Sequence, residues 1–203
     1  MQDPKPRRTQ AERLTETRVA LLRAARTLFA QRGYGETATE DIVAAAGVTR
    51  GALYHHFKDK ADLFAALVEQ CFAEVLTEID AAAARAPDAM SALRAGCRGF
   101  LAAALKKDRR RILLIDAPAI IGWARWRALD ARYGMGALRE GLAAAARERN
   151  VKLADLDAAT HLLSGALNEA ALLLASRAAH KPEARRIQRA FDAMLDGLFA
   201  DAR

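Results

Sequence analysis

The residues best placed to do chemistry lie in one stretch, TATEDIVAAAGVTRGALYHHFKDKADLF, from Thr37 to Phe64. Two short helices fit it. Thr39 is expected to cap the first, with Glu40 and Asp41 in the turn where the helix dipole favours acids, and Gly47 ends it after Ala46. Thr49 caps the second, which runs to about His56. Ile42, Val43 and Ala46 on one helix and Val48, Ala52, Leu53 and Phe57 on the other supply facing apolar sides, so the pair packs as a helix-turn-helix. The second helix then turns Thr49, Arg50, Gly51, Tyr54 and His55 outward. Such a face suits the DNA major groove, where an arginine can donate two bonds to guanine and a glycine permits close approach. Catalysis has no comparable support: the chain has no HExxH, no GxSxG elbow, no phosphate-binding loop and no dinucleotide fingerprint. His55 and His56, being adjacent, point to different sides of a helix and share no metal, so neither a metal nor a cofactor is implied.

The elements that must hold this segment are all helical. Of 203 residues, 52% are hydrophobic, alanine supplies many of them, and nothing alternates with the period of a strand, so an all-α fold is expected. A helix from Gln10 to Gln31 precedes the segment, with Leu14, Leu21, Leu22, Ala25, Leu28 and Phe29 on one face and Gly33 and Gly35 to stop it. A long amphipathic helix opens at Lys60. Further helices are expected over about 88–107, in a short piece before Pro118, from Pro118 to about Tyr133, and up to about Asn150. The last two, about 156–178 and 182–200, are the most apolar, and offer a face for a second copy or for an intrachain core. The formal net charge is +7, of which +4 falls in residues 1–60, a lean compatible with nucleic acid but equally with a solvated arginine-rich surface. The arm carrying Lys5, Arg7 and Arg8 offers further backbone or minor-groove contacts or a solvated terminus. Cys71 and Cys97 form neither a disulfide framework nor a metal spacing, no apolar run reaches the roughly 18 residues of a membrane span, and no secretory signal precedes the first helix. A cytoplasmic protein without membrane attachment is expected.

In a fixed register, Thr39, Ile42, Ala46, Gly47, Val48, Gly51, Leu53, Tyr54, His56, Phe57 and Lys60 resemble the DNA-binding pattern of the TetR (tetracycline-repressor-like) family. Thr49 replaces the family's usual serine, and Val43 stands where alanine is commoner. Glu40 and Asp41 also depart from it, because acids there repel phosphate. The resemblance covers about residues 10–60. It implies an N-terminal three-helix DNA-binding domain over 1–60 and a C-terminal helical domain over 61–203 for effector binding and dimerisation. The implied function is a dimeric, ligand-responsive repressor on a palindromic operator, with double-stranded DNA, a small-molecule effector and a second copy as partners. A helical dimerisation or protein-interaction module without effector control is the alternative. Arg50, Gly51, Tyr54 and His55 would then face bases or backbone, while Thr39, Thr49, His56 and Lys60 would contact the backbone or act as caps. Tyr54 and His56 could equally pack with a polar tip exposed. For the effector, IGWARWRALDARYGM brings Trp123, Trp126 and Tyr133 close to Arg125 and Arg127, which fits a pocket for an apolar or anionic ligand or ordinary core packing. Phe100, Cys97, His161 and Asn168 are further pocket candidates, with His161 alternatively a core histidine.

Overall fold

The computed structural model describes residues 9–176 and 181–200, and every regular element among them is helical. The arm with Lys5, Arg7 and Arg8 and the expected helix end at 178 lie outside the described residues. Helix α1 (Gln10–Arg32) starts on a capping box in which Thr9 and Glu12 satisfy each other's backbone N–H groups. It stops at Gly33, whose φ of 85° an L side chain rarely adopts. Leu21, Leu22, Ala25 and Phe29 are buried as their spacing requires, but Leu14 is exposed and Leu28 half-buried, so the packed stripe is shorter than the apolar one.

Helices α2 (Thr39–Ala46), α3 (Arg50–His56) and α4 (Lys60–Ala83) follow. Thr39 is not the cap of α2. The cap position falls on Ala38, which has no side-chain bond to give, and the Thr37 hydroxyl is spent on the Gly33 carbonyl at 2.8 Å. Glu40 and Asp41 are left to serve that end of the helix dipole. Gly47 joins α2 to α3 at φ 66° and ψ 32°, the left-handed region. Ile42 and Leu53 are fully buried beneath this turn, and Phe29 stacks on Tyr34 while both meet Phe64 edge-on, with centroids 5.0 to 5.6 Å apart.

The chain forms two compact units that divide at Leu67 and Val68, inside α4, later than the expected boundary at residue 60. The second unit contains α5 (Ala89–Ala104), α6 (Ala117–Ile120), α7 (Trp123–Asp130), α8 (Gly136–Glu148), α9 (Leu156–Ser176) and α10 (Lys181–Ala200). Helix α5 packs chiefly on α8, which meets α9, which meets α10. The expected helix over 88–107 is shorter because Asp88 caps it from outside and its far end gives way to a turn that buries Arg109. That arginine binds Glu78 at 2.8 Å, beside Lys106 on the same carboxylate at 2.9 Å. The expected helix from Pro118 to Tyr133 is broken at Gly122, φ 81°. Two π-helical turns, Ile112–Asp116 and Ala131–Met135, flank the tryptophan segment; such turns are rare and interrupt the regular helical repeat. No helix among the described residues is long and apolar enough to cross a membrane.

Candidate functional site

On the first unit, α3 is held from inside by Leu53 and from its start by Thr49, whose hydroxyl accepts the Ala52 N–H at 3.2 Å. Thr49, Arg50, Gly51, Tyr54 and His55 are exposed together along its outer side. Thr39, at the first position of α2, and His56 are half-buried. The Arg50 guanidinium sits 5.5 Å from the Tyr54 ring centroid and 3.1 Å from Glu40 Oε1. The Tyr54 hydroxyl and then the Glu40 charge hold Arg50 above even its ordinary high range, so it is a permanent cation. Both members of the Arg50–Glu40 pair are well exposed, and such surface pairs are weak, so the guanidinium is positioned without being locked. The acid at position 40 looked like a departure in the sequence, and the structure gives it a partner ten residues on. Asp41 likewise pairs with Arg32 at 3.2 Å. Helical spacing could not show either pair, since both cross between elements.

Lys60 stands apart from this row. Its ammonium donates to the carbonyls of Tyr34 and Thr37, each at 3.0 Å, and lies 4.2 Å from the Tyr34 ring centroid. It therefore ties the loop before α2 to the start of α4. Burial first, then the nearby charges of His55 and Arg18, pull the His56 imidazole below the usual histidine range, so at neutral pH it can donate one N–H but carries no full charge.

On the second unit, a cavity of about 290 Å3 opens between α4, α5, α8 and α9. Ile79, Leu93, Phe100, Leu138 and Leu167 give it apolar walls, and Asp130, Ser164 and Asn168 form one polar corner. Asp130 is 2% exposed. Its Oδ2 accepts from Arg127 Nη1, from Ser164 Oγ at 3.2 Å and from Asn168 Nδ2 at 3.2 Å. Burial pushes the Asp130 carboxyl up, against the opposing pull of Arg127, Asn168 and Ser164. A second cavity of similar volume is lined by Leu114, Pro118, Trp123, Trp126, Arg127 and Asn168 among others, so Asn168 faces both.

The expected pocket residues are thus separated. Phe100, Cys97 and Asn168 meet in the first cavity, and Trp123 and Trp126 line the second, with ring centroids 5.1 Å apart. Trp126 is buried and donates to the Leu113 carbonyl at 2.9 Å, whereas Trp123 is 64% exposed. Tyr133 lines neither cavity; it stacks on Phe72 and donates to Glu69 at 3.3 Å. His161 also lines neither and is exposed, its Nδ1 2.9 Å from the Asp157 carbonyl oxygen, so it is no core histidine either. Asp130 and Ser164 were missed by sequence reasoning. The available signal was an acid three residues after Arg127, and a serine and an asparagine four apart on α9, each spacing placing two polar groups on one helix side.

Comparison with known proteins agrees with this layout. Residues 21–67 match the family model described as bacterial regulatory proteins, tetR family, and residues 90–198 match the one described as tetracyclin repressor-like, C-terminal domain. The TetC protein of transposon Tn10 from Escherichia coli is 30% identical over 159 residues, 77% of this chain and 79% of that protein. The HTH-type transcriptional regulator AcrR of Shigella flexneri is 39% identical over 109 residues, 53% of this chain and 50% of that one. A crystal structure of a TetR-family transcriptional regulator from Pectobacterium atrosepticum superimposes with a TM-score of 0.78 at 36% identity, covering 97% of this chain and 100% of that one. The helix-turn-helix, the all-helical second unit and these matches together establish that the chain belongs to the TetR family of DNA-binding transcription regulators.

Proposed function

We propose that this regulator is a homodimeric repressor that reads a palindromic operator with α3 and releases it when a small molecule enters the second unit. The observation that carries the reading is the outer side of α3, where Arg50, Gly51, Tyr54 and His55 are exposed in one row while Leu53 anchors the helix from behind. Arg50 is the direct reader of a base, Tyr54 and His55 contact bases or sugar-phosphate, and Thr39, Thr49 and His56 contact the backbone. Lys60 acts as the tether that fixes the loop before α2.

Dimerisation through α9 and α10 is supported by Leu162, Leu172, Leu173 and Met194, which leave large apolar side chains exposed on those two helices. A two-fold dimer presents two copies of α3 to half-sites about 34 Å or a multiple of it apart. The cavity of about 290 Å3 in the second unit gives the effector a place. An effector that binds better to the dimer with mismatched α3 spacing lowers the DNA-competent population by no more than its differential affinity allows.

Selection of bound genomic fragments tests the reading. It should recover an inverted repeat, with affinity falling steeply as salt rises. Arg50→Ala should relax preference at one position of each half-site and leave the rest of the pattern intact. Recovery of fragments without symmetry, or sedimentation showing only monomer at micromolar concentration, would refute it.

A further inference from the structure

The first cavity has a chemical preference written into its polar corner. Asp130 has two oxygens in very different states. Three donors, Arg127, Ser164 and Asn168, converge on Oδ2. Among the described residues no hydrogen bond reaches Oδ1, although the residue is 2% exposed. The π-helical turn that follows Asp130 brings Gly134 opposite that oxygen: a methyl on Gly134 would stand 3.3 Å from Oδ1 and 3.8 Å from the Phe100 ring. The oxygen thus borders open space at the cavity wall, next to an aromatic face. Oδ1 is not one of the fully buried polar atoms that lack a partner, so it meets cavity space that water can reach, and a guest that displaces that water must bring its own O–H or N–H or leave the acceptor unpaired.

Charge narrows the guest further. The cavity is lined by three carboxylates, Asp130, Asp80 and Glu140, and by no lysine or arginine. Arg127, which bonds to Asp130 and Ser164 at the polar corner, is already paired with the Asp130 carboxylate. A carboxylate guest would enter a site with no free positive partner. Size sets the body: a cavity of 150 Å3 takes a benzene ring, so about 290 Å3 takes roughly two fused rings.

We infer that the cavity takes a compact apolar molecule carrying one O–H or N–H donor, which is given to Asp130 Oδ1, and that it rejects the same body carrying a carboxylate. The inference rests on the proposed reading of this cavity as the effector site. It differs from an anion pocket built on the arginines of the tryptophan segment, since Arg125 is exposed and Arg127 is neutralised.

The test is titration calorimetry of the full-length protein with five probes of one shape: naphthalene, 2-naphthol, 2-(aminomethyl)naphthalene, 2-methoxynaphthalene and 2-naphthoate. At least one donor probe should bind tenfold or more tighter than the methyl ether, and naphthoate should not bind. Binding by the naphthol alone identifies a neutral hydroxyl as the donor, binding by the amine alone identifies a cation, and either supports the inference. Gly134→Ala, whose methyl would stand 3.3 Å from Oδ1 and crowd it, should remove that tenfold advantage, and a melting temperature equal to the parent's checks that the bonds to Oδ2 survive. Asp130→Asn should do the same but risks the fold by unpairing Arg127, so Gly134→Ala and the parent series decide. If the ether or naphthoate binds as well as the donors, or Gly134→Ala keeps the full preference, the inference is overturned while the effector reading stands. If none of the five probes binds, the effector reading of the cavity fails, and the inference with it.

Discussion

Gly51→Ala separates what the protein needs from what its DNA needs. A Cβ built on Gly51 meets nothing nearer than Thr49 Oγ1 at 3.9 Å, an ordinary van der Waals separation, and the residue has no positive φ. The protein therefore does not require glycine there. Alanine is the better helix former by at most about 1 kcal/mol, and less in a first turn, so the folded state should be unchanged or slightly firmer. In a chain of this size that corresponds to a rise of at most about 2–4 °C in melting temperature. The methyl points outward, however, into the surface proposed to lie against the groove. If it lifts α3 enough to lose one bidentate base contact, worth about 1–3 kcal/mol, operator affinity falls about 5- to 150-fold. Thermal melting followed by circular dichroism and a fluorescence anisotropy titration on the selected operator measure both halves. An unchanged dissociation constant with an intact fold would show that α3 does not approach the groove closely at Gly51. A large loss of stability would show instead that the space around Gly51 is misjudged.

Two further outcomes follow from groups whose surroundings are well defined. Lys60→Met removes both carbonyl bonds and the cation over Tyr34, and should cost about 2 kcal/mol in chemical denaturation, because bonds from a charged donor are stronger than neutral ones but this one is only partly buried. The slope of log affinity against log salt should stay as in the parent, whereas losing a phosphate contact would lower its magnitude by about one. For Cys97, burial first and then the nearby Asp192 push the thiol up to about 12, with Arg98 opposing. The reactive thiolate is therefore nearly absent from the folded protein at pH 8, and iodoacetamide should label Cys97 only slowly until denaturant is added. Because the unfolded thiol ionises near 9 and the folded one near 12, the folded state keeps a proton that the unfolded state loses. This contribution to stability is complete below pH 9 and disappears as pH rises toward 12, and Cys97→Ser should flatten that part of the stability profile. Fast labelling of the native protein at pH 8 would contradict both statements.

What could be read from the chain divides along the range of the forces involved. The turn at Gly47, the cap at Thr49 and the inward set Ile42, Leu53 and Phe57 are fixed by residues within a few positions of one another, so spacing alone located the helix-turn-helix and its outward row. The cap at Thr39 failed for an equally local reason: Ala38 occupies the cap position and Thr37 spends its hydroxyl on Gly33, a choice that backbone geometry makes and composition does not. Lys60 matches the family pattern, yet the pattern is silent on whether a lysine reaches for a phosphate or for the carbonyls of Tyr34 and Thr37, more than 20 positions back. The second unit shows the same limit more sharply. Its apolar helices were legible, but the tryptophans and arginines of the 123–133 segment fit a pocket for an apolar or anionic ligand or plain core packing, whereas the polar corner of the first cavity is built on the acid among them. Asp130 acquires its meaning only when α9 brings Ser164 and Asn168 onto the same oxygen as Arg127 and a π-helical turn places Gly134 against the other. Nothing in the spacing of the sequence distinguishes this acid from its neighbours; in the fold it is a buried residue with one oxygen held by three donors and the other facing the cavity, and the inferred preference for a donor guest rests on that asymmetry.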